Sequence, residues 1–359
     1  MRIGLGLGAG GVQGGAWLTG ALAALAAETR WDPASANYIV GTSAGSMIGT
    51  LLAAGIPPWF MVAHSEGEEF EGMVDARGNP AAEADRSGGA IFRISPGALP
   101  LFPGSLPLVI RSLIRPRRHT PAGVLAGWLP RGIVSGDALR DIVKRSVAGT
   151  WTEHPNHWVV ACDYASGRRV SFGRAGAPRA KVADAVAASC AIPGFYRPVR
   201  ISGRRYVDGG IWSTSNLDVV RGLSLDLVIC LNPTSTLHPL RAANPVEAVR
   251  LLTSHESGRR LGSEARKLRE EGTRVALVQP TKRDLDTMGV NLMSSRNRNE
   301  VIRVARETTA SLLAGPVLSE LLADLPEGDP DAIMRPTSPA SEWPSLTELA
   351  ERVHPAATA

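Results

Sequence analysis

The sequence predicts an α/β protein in which helices cover the faces of a mainly parallel sheet. Two strand-like apolar runs, at 3–7 and 37–40, are each followed by a glycine-containing loop and then by a helical pattern. The first helical pattern covers 17–27, and the second is "MIGTLLAAG" at 47–55. Because strand, loop and helix occur twice in this order, a parallel sheet with helices on its faces is the expected fold class.

Later segments extend the same alternation. Apolar runs bounded by turn residues predict strands, and apolar residues at helical spacing predict helices. The run "LDLVICLNP" at 225–233 is continuously apolar, as expected for a strand in the middle of a sheet. The other predicted elements are a helix at 136–147, two strands within 157–173, a helix at 182–190, a strand at 204–208, a helix at 245–271, a strand at 275–280 and a helix at 296–313.

One domain is predicted over 1–325, followed at 326–359 by a tail whose repeated Pro, Ser and Ala predict disorder. A Gly- and Pro-rich insertion at about 66–131 contains the apolar and basic stretch 98–118, "ALPLFPGSLPLVIRSLIRPRR". A helix starting at Pro107 would gather several apolar residues on one face, beside arginines. These residues are Leu108, Val109, Leu113 and Ile114, beside Arg111, Arg115, Arg117 and Arg118. The segment is either a helix docked on the core or a lid or membrane-contacting surface.

The composition is that of an ordinary folded protein. The chain has 359 residues, of which 44% are hydrophobic, and a formal net charge of +5. This mild excess of positive charge favours contact with an anionic lipid surface. With 5% aromatic residues and no dense basic stripe, the sequence does not indicate a nucleic-acid partner. No protein partner is predicted either.

Three widely spaced cysteines, Cys162, Cys190 and Cys230, form no CxxC pair. They indicate buried thiols in a reducing compartment and predict no metal site. No apolar run is long enough to predict a membrane span. The first 27 residues resemble a secretory signal superficially, but glycine is a poor helix former and is abundant there. A cytoplasmic protein, with possible peripheral contact with the membrane, is therefore expected.

The pentapeptide "GTSAG" at 41–45 fits the G-x-S-x-G pattern of a nucleophile elbow. It stands between a predicted strand and a predicted helix, as this geometry requires. A serine on such a sharp turn has strained backbone angles, and Gly41 and Gly45 leave room for the chain to pass close by. Ser43 is therefore a candidate nucleophile, beside the N-terminus of the following helix.

A Ser-His-Asp triad would need a histidine late in the chain. Among the seven histidines, His238 is placed best, just past a predicted strand. However, Ser43 follows only two predicted strands, whereas the α/β-hydrolase order usually puts several strands before the elbow. The sequence therefore favours a base other than histidine.

The segment "YVDGG" at 206–210 supplies an alternative base. Asp208 ends a predicted strand, and Gly209 and Gly210 allow a sharp turn that keeps the space before the carboxylate open. A carboxylate near a serine hydroxyl acts as a general base when partial burial adjusts its pKa.

The glycine-rich loop after the first strand has two interpretations. Gly6, Gly8 and Gly11 satisfy G-x-G-x-x-G, the dinucleotide-binding pattern. That pattern expects an acidic residue at the end of the second strand, where this chain has Gly41 and the serine turn. The alternative is an oxyanion hole, in which Gly10, Gly11 and Val12 offer N–H groups to an acyl intermediate on Ser43.

Together, the three motifs resemble those of the patatin-like phospholipase family. The matching stretches are "GAGGVQG" at 8–14, with Gly8 and Gly14 at its ends, "GTSAG" at 41–45 and "DGG" at 208–210. The stretches 189–199 and 206–216 also resemble the family, over roughly residues 1–315. The resemblance implies a three-layer α/β/α sandwich and a lipid acyl hydrolase that uses a Ser–Asp dyad without histidine, metal or cofactor.

Transferred to this chain, the resemblance implies that Ser43 is the nucleophile, Asp208 the base, and Gly10, Gly11 and Val12 the oxyanion hole. Many members of the family carry Arg or Lys where this chain has Gln13. This difference favours a neutral lipid ester or thioester over a charged phospholipid, but the sequence leaves the choice between them open. Two other functions stay open on the sequence alone. They are a nucleotide-binding oxidoreductase and a catalytically silent lipid-surface protein with the same fold.

Overall fold

A computed structural model describes residues 1–68, 93–97, 99–235 and 245–330, with the backbone alone described for 245–254. Parts of the predicted insertion, the candidate His238 and residues 331–359 of the predicted tail lie outside the described residues. At 326–330 the chain is described, and there the Gly328 N–H donates to the Arg30 carbonyl over 3.0 Å.

An eight-stranded sheet lies at the centre of the fold. Five neighbouring strands are parallel, in the order β3-β2-β1-β7-β8, while β4 and β6 pair antiparallel with β3, and β5 pairs antiparallel with β6. The strands are β1 (Ile3–Leu7), β2 (Tyr38–Thr42), β3 (His157–Asp163), β4 (Arg169–Phe172), β5 (Val199–Ile201), β6 (Arg204–Asp208), β7 (Leu227–Leu231) and β8 (Arg274–Val278). The predicted α/β class with a mainly parallel sheet is confirmed.

Helices cover both faces of this sheet. They are α1 (Gly11–Thr29), α2 (Ala44–Ala53), α3 (Pro58–Glu66), α4 (Leu106–Ile114), α5 (Pro121–Trp128), α6 (Asp137–Ser146), α7 (Val182–Ser189), α8 (Pro245–Glu270), α9 (Lys282–Met288), α10 (Arg298–Leu313) and α11 (Pro316–Leu322). Within the described ranges no single helix is long and apolar enough to cross a bilayer. Only α2 and α3 taken together reach that length and hydropathy, with a bend of 117° between them.

The alternation of side chains along β7 shows how the layers form. Leu227, Ile229 and Leu231 contribute to the core shared with α1 and α10. Val228 and Cys230 point to the opposite face, where they join the core that includes residues of α8. Because successive side chains of a strand point to opposite faces, a strand buried on both faces must be apolar at every position. The three cysteines are free and buried, as predicted.

Helix α1 begins at Gly11, six residues before the predicted helix at 17–27. The sequence does not predict this first turn, because "GVQGG" is rich in glycine, which is a poor helix former in isolation. Tertiary packing overrides the propensity here, since a Cβ at Gly14 would lie only 3.1 Å from Pro233. Close approach to the neighbouring loop therefore favours small residues at the start of α1.

The predicted arrangement of the α4 side chains is wrong. Leu108 and Val109 are buried, whereas Leu113 and Ile114 are 68% and 70% exposed. The four residues therefore do not share one face. The helix is apolar on two sides, and its buried side is Leu108, Val109 and Ser112.

Candidate active site

Ser43 lies in a sharp turn between β2 and α2. Its φ and ψ of 53° and −123° are unusual for a residue with a side chain, as expected for a nucleophile elbow. Such a conformation costs on the order of 1–3 kcal/mol and persists only when the surroundings hold it. The Ser43 N–H donates to Ser189 Oγ over 2.8 Å, and Ser189 Oγ donates to the Val160 carbonyl over 2.6 Å. On the other side, Ser46 Oγ donates to the Ser43 carbonyl over 2.7 Å.

The elbow is in direct contact with the glycine-rich loop. A Cβ at Gly45 would lie 2.1 Å from the Leu7 carbonyl oxygen, and one at Gly41 would lie 2.4 Å from the Gly45 carbonyl oxygen. The Gly45 N–H donates to the Gly8 carbonyl over 3.1 Å. Strands β1 and β2 are parallel neighbours, and this pairing brings the two loops to one edge of the sheet.

The glycine-rich loop leads into the first turn of α1. The Gly8 and Ala9 N–H groups donate to the carbonyls of Leu231 and Thr214. In the described part of the chain, the next three N–H groups, those of Gly10, Gly11 and Val12, have no acceptor. The first N–H groups of any helix lack intrahelical acceptors, and they lie at its positive end. The loop therefore offers three donors to an anion.

Asp208 ends β6 and is buried, with 5% of its surface exposed. Its Oδ1 accepts the Gly210 N–H over 2.7 Å, and the Ser43 side chain lies near enough to stabilise the charged carboxylate. Burial raises the pKa of Asp208 to about 6, and the Ser43 side chain and the Gly210 N–H oppose the rise. The carboxyl group is therefore ionised at neutral pH and can accept a proton close to that pH.

The antiparallel strand β6 explains why Asp208 and Ser43 meet. Asp208 lies opposite Ala161 of β3, and the adjacent Val160 lies opposite Thr42 of β2. Asn216 links the same two segments, since its Nδ2 donates to Thr42 Oγ1 over 3.0 Å and to the Gly209 carbonyl over 3.3 Å. The turn that follows Asp208 is thereby tied to the end of the strand that carries Ser43.

Sequence reasoning assigned no role to Ser189 or Asn216. A single hydroxyl or amide forms no recognisable pattern, and the partners of both residues are distant in the chain. The one available signal was that Ser189 and Asn216 lie in the stretches 189–199 and 206–216, which resemble the family.

Gln13 takes part in packing of the glycine-rich loop. Its side chain is 2% exposed, and Nε2 donates to the carbonyls of Ser294 and Arg296. Its backbone N–H donates to the Leu292 carbonyl over 3.0 Å. Gln13 therefore anchors the start of α1 to the segment at 292–296, and it brings no positive charge to this loop.

Two threonine hydroxyl groups flank the buried histidine of β3. His157 Nε2 lies 3.3 Å from the Thr50 hydroxyl, and His157 Nδ1 lies 3.1 Å from the Thr152 hydroxyl. Burial lowers its pKa to about 3, so the ring is neutral at physiological pH. In the described part of the chain, the groups that stabilise the charged Asp208 carboxylate are the Ser43 side chain and the Gly210 N–H. His238 lies outside the described residues.

Comparison with known proteins agrees with the motifs. A model of the patatin-like phospholipase family matches residues 5–221, which is more than half of the chain and runs from within β1 to beyond Asp208 and its turn. Among solved structures, VipD from Legionella pneumophila is similar, with 15% sequence identity and a TM-score of 0.41 over 90% of this chain and 67% of that one. The family match supports lipid acyl hydrolases as the functional class, and we conclude that the chain belongs to the patatin-like phospholipase family.

Proposed function

We propose that this protein hydrolyses carboxylic ester bonds of lipids, with Ser43 as the nucleophile and Asp208 as the general base. The observation that carries the proposal is the position of the Ser43 side chain beside the buried Asp208 carboxyl group, whose pKa is about 6. A base with such a pKa is matched to neutral pH. Gly10, Gly11 and Val12 supply the donors that an oxyanion requires.

The reaction proceeds in two steps. In the first, Asp208 takes the proton of the Ser43 hydroxyl while Ser43 Oγ attacks the ester carbonyl carbon. The carbonyl oxygen becomes an oxyanion and accepts hydrogen bonds from the free N–H groups of the glycine-rich loop. When the tetrahedral intermediate collapses, the C–O bond to the leaving alcohol breaks, and the alcohol takes the proton from Asp208.

In the second step, water releases the acyl group from Ser43. Asp208 accepts a proton from the water as its oxygen attacks the acyl carbon, and the oxyanion forms again at the same donors. The bond to Ser43 Oγ then breaks, and Asp208 returns the proton to the serine. The products are a carboxylic acid and the free enzyme, so the two carboxyl oxygens of the acid come from the ester carbonyl and the water.

Labelling with a fluorophosphonate probe, with the modified peptide mapped, tests the nucleophile directly. We expect the label on Ser43 in the unchanged protein and none in Ser43→Ala. Hydrolysis of a p-nitrophenyl ester should fall by about 10³-fold or more in Ser43→Ala and in Asp208→Ala. His238→Ala should retain most of the rate. Full activity in either of the first two variants, or loss of activity in His238→Ala, would overturn the assignment.

The pH dependence gives a second readout of the base. Asp208 is active when ionised, so kcat/KM should rise with pH and level off above an apparent pKa of about 6. A rate that levels off near pH 4, where an ordinary aspartate titrates, would contradict the proposed role of the buried carboxyl group.

A further inference from the structure

Helix α4 and the loop before it carry a surface of exposed apolar side chains. Leu106, Ile110, Leu113 and Ile114 stand at i, i+4, i+7 and i+8, so they form one stripe along the helix. All four are exposed, between 47% for Ile110 and 70% for Ile114. Phe102, 69% exposed, extends the stripe and lies 6.3 Å from the ring of Trp128 on α5. We refer to these six residues as the apolar face.

The core does not require the apolar face. The opposite side of α4 already supplies the buried contacts, since Leu108 packs with Tyr164, Val207 and Ile211. Single exposed apolar residues are common on proteins, but a contiguous group of large ones marks an interaction site. An amphipathic helix that only docks on a core would carry polar residues where α4 has leucine and isoleucine.

The charged residues of the segment that carries this face have a single sign. Between positions 86 and 136 the chain has seven arginines, no lysine and no Asp or Glu, although the whole chain has a net charge of only +5. The positive excess is therefore concentrated in this segment, and the remainder of the chain is slightly acidic. Arg115, Arg117 and Arg118 directly follow the stripe, are exposed, and have no acidic partner among the described residues.

We propose that the apolar face and its arginines bind the surface of an anionic lipid bilayer. The leucine, isoleucine and phenylalanine side chains enter the boundary between headgroups and acyl chains, and the guanidinium groups bind lipid phosphates. A second copy of this chain is a poor occupant. A two-fold interface brings the same patch of both copies together, so both sides would carry the same positive charge.

The same segment is attached to the turn that follows the proposed base. Thr120 Oγ1, at the start of α5, donates to the Ile211 carbonyl, three residues after Asp208. Tyr164, which belongs to the same cluster as Ile211, donates from its hydroxyl to the Ala126 carbonyl of α5 over 3.0 Å. Docking on a bilayer therefore holds the candidate site beside its lipid substrate. The binding itself does not depend on catalysis.

Co-sedimentation of the full chain with lipid vesicles tests the proposal. The chain carries Ser43→Ala throughout, so that hydrolysis does not alter the vesicles and a failure of the proposed reaction leaves the result unaffected. We expect binding to vesicles that contain phosphatidylglycerol, weak binding to phosphatidylcholine alone, and weakening by salt because screening reduces the electrostatic attraction.

Two sets of substitutions separate the apolar and charged contributions. L113S/I114S and R115Q/R117Q/R118Q should each weaken binding, the latter by on the order of 100-fold, as removal of three basic residues near an anionic surface implies. Two controls, V317S on α11 and R259Q/R266Q on α8, change exposed residues elsewhere and should bind like the parent. Thermal unfolding should be unchanged in all four, because every altered side chain is exposed.

Three results would overturn the proposal. The first is the absence of vesicle binding by the parent chain. The second is equal binding by L113S/I114S, R115Q/R117Q/R118Q and the controls. The third is a parent that sediments as a dimer and becomes a monomer in L113S/I114S while its vesicle binding stays the same, because the apolar face would then be covered by a second copy.

Discussion

At the scale of single residues, a strained serine is held by hydroxyl groups from distant parts of the chain. Ser189 Oγ accepts the Ser43 N–H and donates to the Val160 carbonyl, so both bonding roles of this buried hydroxyl are used. The turn at Ser43 therefore depends on α7 and β3 as well as on its own glycines. This dependence makes Ser189 a positioning residue for the candidate nucleophile.

We expect Ser189→Ala to reduce both stability and catalysis. The substitution leaves the buried Ser43 N–H without an acceptor, which costs about 1–3 kcal/mol of unfolding free energy. Because Ser43 Oγ would be held less firmly, kcat for a soluble ester should fall more than KM rises. Denaturant unfolding and ester kinetics measure the two effects.

Ser311→Ala is the matched control, since Ser311 is exposed and donates only to the Glu307 carbonyl one turn back in α10. An S189A variant that behaves like S311A in both measurements would show that the Ser189 hydrogen bonds do not hold the turn.

The carboxyl group of Asp208 should destabilise the fold at neutral pH. Its pKa is raised to about 6, so the folded protein holds the proton more tightly than the unfolded chain does. Stability therefore falls as pH rises from about 4 to about 6 and stays lower above that. Asp208→Asn, which cannot ionise, should be more stable than the parent at pH 8 by up to about 3 kcal/mol.

The comparison at low pH is an internal control for this prediction. Below about pH 4 the parent carboxyl group is protonated in the folded and unfolded states alike, so the difference between D208N and the parent should vanish there. Urea unfolding at both pH values measures it. A D208N variant that is less stable than the parent at pH 8 would mean that the interactions of the carboxylate with Ser43 and Gly210 outweigh the burial of its charge.

At the scale of secondary-structure elements, the contact between β1 and α2 determines where the elbow and the glycine-rich loop meet. Gly45 is the point of closest approach, and the atoms that surround its missing side chain are backbone carbonyls of Leu7 and Gly8. Backbone atoms of a central strand cannot move aside as a flexible side chain can. The glycine is thus required by packing between two elements.

Gly45→Ala should lower the unfolding free energy by about 3 kcal/mol or more, because the new methyl group overlaps the Leu7 carbonyl. It should also reduce activity in the folded fraction, since the oxyanion donors and Ser43 would be pushed apart. The control is Gly262→Ala on α8, where nothing lies within 4 Å of the added Cβ. That change should stabilise the helix by about 0.5–1 kcal/mol. Thermal unfolding of both variants tests the contrast, and equal effects would refute it.

The elements also show which parts of the fold can be predicted from short sequence patterns. Strands β1, β2, β7 and β8 follow from short apolar runs bounded by turn residues. The orientation of α4 cannot be predicted from its sequence pattern. Both of its sides are apolar, and periodicity alone does not indicate which side is buried. The contacts of Leu108 with Tyr164 and Ile211 decide it.

At the scale of the whole molecule, helix α11 and the residues directly after it extend the core. Leu322 and Leu325 are 5% and 9% exposed and join the cluster around α1 and β1. The residues from 326 onwards form the predicted tail, with its repeated Pro, Ser and Ala. We therefore expect a chain of residues 1–330 to keep the thermal stability and ester activity of the full chain.

A chain of residues 1–315 should behave differently. It lacks α11 and both leucines, and removal of two buried leucine side chains costs roughly 3–6 kcal/mol. Thermal unfolding of the two shortened chains and the full chain measures these differences. Equal stability of all three would show that α11 contributes nothing to the core, and a loss already in 1–330 would place the end of the domain beyond the predicted boundary at 325.

Much of the fold and candidate site is determined by the sequence itself. The alternation of apolar runs, glycine loops and helical patterns predicts the α/β class. The motifs "GTSAG" and "DGG" can also be located, each at the end of a predicted strand, because strand ends and sharp turns have characteristic local sequences. The meeting of Ser43 and Asp208 is decided by tertiary structure. It depends on the antiparallel pairing of β6 with β3, which joins residues far apart in the chain. The roles of Ser189 and Gln13, and the exposure of the apolar face, depend on such distant contacts as well, and no local pattern encodes them.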